Sequence, residues 1–118
     1  MATPQLVRAT PQEEVTLPNP RPQWQGCPTA EIGLGQYDDG RWAYRASAML
    51  NDAGFASPMS HWTDHPSNRF ASRDEAMAAA VERVREWVGG QRNTDNPDLR
   101  RITEWLFGLR HQQRDLFA

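Results

Sequence analysis

The run Arg41-Trp-Ala-Tyr-Arg-Ala-Ser-Ala-Met-Leu50 decides how the chain is read. Its apolar residues recur at every second position, so an extended strand sends Trp42, Tyr44, Ala46, Ala48 and Leu50 to one face. Arg41, Ala43, Arg45, Ser47 and Met49 fall on the other face. Just before it, Asp38-Asp-Gly40 is a turn signal, because an Asp-Gly pair tolerates the positive φ of a two-residue hairpin loop. Glu31-Ile-Gly-Leu-Gly-Gln-Tyr37 then reads as the partner strand, weakened by Gly33 and Gly35. A hairpin over residues 31–50 is the predicted centre of the fold.

Residues 51–71 are rich in turn formers, among them Asn51, Asp52, Gly54, Ser57, Pro58 and Pro66. Two strands alone rarely make a stable sheet, so a third is expected within Phe55–Trp62, at an edge because of Pro58. Ser72 with Glu75 three residues later is a capping box, each side chain satisfying a free backbone N–H of the other. The helix it opens carries Ala76, Met77, Ala80, Val81, Val84 and Val88 along one stripe and stops at Gly89-Gly90. Glu82, Arg83, Arg85 and Glu86 form its solvated side. Asn96-Pro97-Asp98 starts a last helix, with an N-cap, a proline at the first helical position and an acid at the positive end of the dipole. Leu99, Ile102, Leu106, Leu109 and Leu116 share one stripe of that helix. It either closes the core or pairs with its equivalent in a second subunit. In the second case Leu99, Ile102, Leu106 and Leu109 form the seam of a homodimer.

On the other side of the hairpin, six of nine prolines fall within the first 28 residues. Proline removes backbone donors and holds the chain extended, so Leu17-Pro-Asn-Pro-Arg-Pro22 forms neither a helix nor a central strand. Residues 1–28 are read as an arm, anchored by Val15, Leu17 and Trp24, and residues 29–118 as one domain. The predicted class is α+β: an antiparallel sheet of two or three strands, one covering helix, a C-terminal helix and the proline-rich arm.

Composition limits function. At 118 residues there is material for one domain, and 38% hydrophobic residues give it a modest core. The longest apolar run, Ala76–Val81, is far too short to span a bilayer. The first eight residues lack the apolar stretch of a secretory leader, and the one cysteine, Cys27, forms no intrachain disulfide. A cytoplasmic protein without membrane contact is expected. Thirteen basic residues against fifteen acidic ones weaken the case for a dedicated nucleic-acid binder, which draws affinity from clustered positive charge. All the basic residues are arginine, each able to offer a planar fork to a carboxylate or phosphate.

Sites for chemistry are few. His61-Trp-Thr-Asp-His65 places two histidines at i and i+4, but flanking prolines oppose a helix and no Glu follows the first His. Gly33-x-Gly35 lies between two strands, whereas a phosphate loop needs a following helix. No nucleophile elbow occurs. Neither a metal, a cofactor nor a catalytic residue is expected, and the chain is read as non-enzymatic. The remaining signal is aromatic and Arg content, both enriched where interfaces concentrate binding energy. Trp42 and Trp105 are read as core residues. Arg41 and Arg45 beside Tyr37 form a small basic platform; with His61 and Trp62 in the loop, and Arg110 and Arg114 on the last helix, they are the candidate partner contacts.

Trp42-x-Tyr44, Gly54, Pro58, Phe70-Ala-Ser-Arg-x-Glu-Ala76 and Trp105-Leu106 together resemble small β-hairpin–helix modules encoded by phages and plasmids. Some of these are stand-alone phage proteins, and others are C-terminal accessory segments of ParB-like plasmid proteins. The resemblance covers about residues 29–110 and implies a mobile-element origin, with a counter-defence role such as an anti-CRISPR. The ParB nuclease and DNA-binding domain has no counterpart here, so no catalytic role carries over. The expected function is occupation of a surface of a macromolecular partner, a bacterial immune complex in the phage reading. The alternatives are a nucleic-acid-binding accessory module that uses the Arg-bearing strand, and a small metal-dependent enzyme.

Overall fold

The computed structural model describes residues 13–21, 28–50, 54–57, 69–91 and 96–117, side chains excepted at 55–57 and 110–117. It is an α+β fold. Four strands, β1 (Glu13–Leu17), β2 (Ala30–Gln36), β3 (Trp42–Met49) and β4 (Gly54–Ser57), form one antiparallel sheet in the order β1-β2-β3-β4. Helix α1 (Arg73–Gly89) packs on β3 and β2, and helix α2 (Pro97–Phe117) packs on α1.

The alternation in residues 41–50 does what period two requires. Ala46, Ala48 and Leu50 are buried in the core, with Trp42 and Tyr44 packed against its margin. In register with them, Ala30 faces Ala48, Ile32 faces Ala46 and Leu34 faces Tyr44. The third strand, β4, takes the edge that Pro58 pointed to and sets Phe55 opposite Ala48. A fourth strand comes from within the proline-rich arm. Residues 13–17 hold no proline, and their own alternation puts Val15 opposite Ile32 and Leu17 opposite Ala30, where both pack on the core. Proline at 18 and 20 then ends the strand, which lies at the edge.

The hairpin loop has three residues, not two. Gly40 N donates to Tyr37 O at 3.0 Å and Tyr37 N donates to Arg41 O at 2.8 Å. Gly40 alone has positive φ, at 90°, whereas a two-residue type I′ turn needs it at both central positions. Asp39 serves the turn with its side chain, accepting from Arg41 N at 3.0 Å.

Both helix starts follow their local signals. Ser72 Oγ accepts from Glu75 N at 3.2 Å, while Glu75 Oε2 reaches one residue further back than a capping box requires, to Ala71 N at 3.1 Å. Asn96 Oδ1 accepts from Asp98 N at 2.8 Å, which caps α2. Helix α1 ends at Gly89-Gly90 as expected; Gly90 keeps a right-handed φ of -86°, and the Gln91 side-chain amide donates to Trp87 O at 3.1 Å.

The last helix closes the chain's own core. Ile102 is 0% exposed, and Leu99, Leu106 and Leu109 are buried beside it against the α1 stripe. Of the two roles expected of this helix the structure shows the first: Leu99, Ile102, Leu106 and Leu109 are covered within one chain and are not left as a seam for a second copy. Trp105 and Trp87 pack at the core's margin. Among the described residues no helix is long and apolar enough to cross a membrane.

Candidate functional site

The sheet has an outer face, turned away from α1, and its chemistry is set by one row of residues. Glu14 on β1 is the partner of Gly33 on β2, which is the partner of Arg45 on β3. Because Gly33 has no side chain, the Arg45 guanidinium crosses β2 and places Nη2 2.8 Å from Glu14 Oε1. The same nitrogen lies 3.4 Å from Glu31 Oε1, in the next row. Burial pushes the Glu31 carboxyl above the usual carboxylate range; Arg45 opposes that shift, while a hydrogen bond and the charge of Glu14 add to it. Two carboxylates thus share one guanidinium.

This arrangement corrects the expected basic platform. Arg45 is turned toward β1 and its charge is neutralised there. Arg41 sits apart at the hairpin end, its side chain 60% exposed and 4.0 Å from Asp39. Tyr37, expected beside them, is buried, with the Arg69 guanidinium 5.6 Å from its ring centre. His61 and Trp62 lie outside the described residues. Arg110 and Arg114 fall on the described backbone of α2, but their side chains lie outside the description. Of the six expected contacts, then, Arg41 and Arg45 are placed, and they are not brought together.

Residues that sequence reading passed over form a second cluster on the core side of β1. Arg73, the first residue of α1, places Nε 2.6 Å from Glu13 Oε2 and Nη1 2.9 Å from Asp74 Oδ1. Its hydrogen bond to Glu13 pushes the guanidinium's affinity for its proton up further. Beneath the pair is a pocket of about 240 Å³, floored by Val15, Ile32, Leu34 and Met77 and rimmed by Glu13, Glu14 and Arg73. A third cluster ties the following residues to α2. Asp98, its side chain 5% exposed, accepts from Arg21 at 3.2 Å and lies 3.6 Å from Arg101. Arg101 Nη2 also donates to Pro18 O at 2.8 Å. The one available signal was the alternation Glu13-Glu-Val-Thr-Leu17, masked by the prolines around it.

The site brings together ion pairs, an apolar pocket and a sheet edge. Among the described residues, no group of three or more His, Cys, Asp or Glu is placed to hold a metal ion. No protein-family model, no curated protein and no solved structure matches the chain.

Proposed function

We propose that the chain is a non-enzymatic binding protein that acts by occupying a surface of a protein partner. The observation that carries this reading is the internal use of arginine. Arg21, Arg41, Arg45, Arg73, Arg85 and Arg101 each lie within 4.0 Å of a carboxylate of the same chain. A nucleic-acid surface draws its affinity from positive charge left to phosphate, and pairing of this kind removes it. A sheet edge with fixed charges of both signs and an adjoining apolar pocket suits a polypeptide instead.

The likeness to phage and plasmid modules bears on the scaffold. Trp42, Tyr44, Phe70 and Trp105, which carry that likeness, pack against the core, the Tyr44 and Phe70 rings 6.1 Å apart. They support a shared framework and leave the contact surface to other residues. A bacterial immune complex is the partner class the likeness puts first.

Affinity capture from a host lysate, with and without nuclease, tests the reading. The expected result is a protein retained after nuclease treatment and through a salt titration. Capture that vanishes with nuclease, or falls steeply with salt, would overturn it in favour of the accessory nucleic-acid module.

A further inference from the structure

We infer that the β2 edge, flanked by Arg45 and Arg73, is a strand-accepting surface for a partner segment with two consecutive acidic residues followed by alternating apolar ones. β1 is then its resident ligand, supplied by the chain itself. The inference rests on the protein-binding reading and names the surface that performs it.

Four of the five residues of β1 meet a complementary group. Glu13 meets Arg73 of α1 at 2.6 Å on the core side, and Glu14 meets Arg45 of β3 at 2.8 Å on the outer face. Val15 lines the pocket with Ile32, Leu34 and Met77. Leu17 packs on the core margin, and the backbone pairs with β2 along all five residues. Acid, acid, apolar, any residue, apolar is therefore the pattern the surface reads. Backbone pairing supplies affinity, and side chains at alternate positions supply selectivity.

Both arginines are held in place without β1. Arg45 keeps Glu31 at 3.4 Å, and Arg73 keeps Asp74 at 2.9 Å. Such preorganisation reduces the ordering an incoming strand must bring about. Among the described residues the buried Nε of Arg45 has no hydrogen-bond acceptor, and β1 supplies none.

The hold on β1 itself is slight. Glu13, Glu14 and Thr16 are exposed, and Val15 and Leu17 are only half-buried. What those two side chains gain by burial is of the same order as the entropy lost in ordering the strand. Past Leu17 the chain is fixed again, through Pro18 O to Arg101 and Arg21 to Asp98. Opening of β1 thus leaves residues 18–21 anchored.

The test uses the full chain and a fluorescent peptide, Pro11-Gln-Glu-Glu-Val-Thr-Leu-Pro18, read by anisotropy. In Glu13→Arg/Glu14→Arg protein the resident strand repels both arginines and the surface is freed. The peptide is expected to bind this variant one to one and at least roughly tenfold tighter than wild type. A peptide with both acids changed to Arg should not bind, and adding Arg45→Ala to the protein should weaken binding by roughly threefold to fivefold. A folded variant that binds neither peptide, or both equally, overturns the inference. If charge reversal prevents folding, Glu13→Gln/Glu14→Gln protein must show the same preference at a smaller ratio, and equal binding there overturns it too. A one-to-one complex of wild type with the variant in native mass spectrometry makes the occupant a second copy of this chain and overturns the foreign partner. Lysate capture of nucleic acid alone alongside tight peptide binding removes the functional reading and keeps the surface, whereas protein capture without peptide binding does the reverse.

Discussion

β1 and β3 belong to one sheet but are held by different forces. β3 is flanked by strands on both sides, and its Ala46 and Ala48 lie in the core beneath α1. Among the described residues β1 has one neighbour, and its acidic residues reach arginines on two other elements. Burial of apolar surface is not screened by salt, whereas partly exposed ion pairs are. The centre should therefore unfold only with the whole domain, and the edge should respond to local changes in charge.

The largest effect is expected where the centre is struck. Ile102→Asp puts an unpaired charge at a fully buried position and should cost about 4 kcal/mol or more, so that no cooperative transition remains in a circular-dichroism melt. A folded monomer instead would place the α2 stripe outside the core. Next comes the anchor between the two regions. Asp98→Ala removes a buried carboxylate that holds Arg21 and Arg101; both arginines are partly exposed and can turn to water, so the cost should be about 2 kcal/mol. Limited proteolysis should then cut near residues 18–21 faster than in wild type.

Smaller changes sharpen the contrast. Ser72→Ala deletes the cap of α1 and should lower stability by about 1 kcal/mol in urea titration, with no change at β1. Arg45→Ala should do the opposite: a global change below about 1 kcal/mol, because the pair is partly exposed, with faster opening of residues 13–17. The smallest effect concerns pH. The Glu31 carboxyl is raised in the folded chain, so the folded state holds that proton more tightly than the unfolded one. Its contribution favours folding at pH values below the usual carboxylate range and is lost as pH rises through the raised value. Glu31→Gln should therefore flatten the urea midpoint between about pH 4 and pH 7 and raise it slightly at the upper end.

How legible the molecule was in its sequence follows the range of each interaction. Ser72 with Glu75, and Asn96-Pro97-Asp98, are signals whose partners lie within four residues, and both helices begin there. Alternation alone fixed the faces of β3. The loop length at Asp38–Gly40 was misread, because Asp-Gly suits two turn types and only the register of the strands decides between them. The candidate site was scarcely legible. Arg45 and Glu14 are 31 residues apart, and Gly33 matters only once three strands are in register. Read along the chain, Gly33 weakens a strand; read across the sheet, it lets Arg45 pass.

Native-state hydrogen exchange followed by mass spectrometry puts the two regions side by side most directly. Amides of Val15 and Leu17 should exchange through local opening, at least roughly tenfold faster than those of Gly35 and Ala43, which join β2 to β3, and faster still in high salt or in Arg45→Ala protein. Exchange of both regions at one common rate, unmoved by salt or by that substitution, would contradict an edge strand held separately from the core.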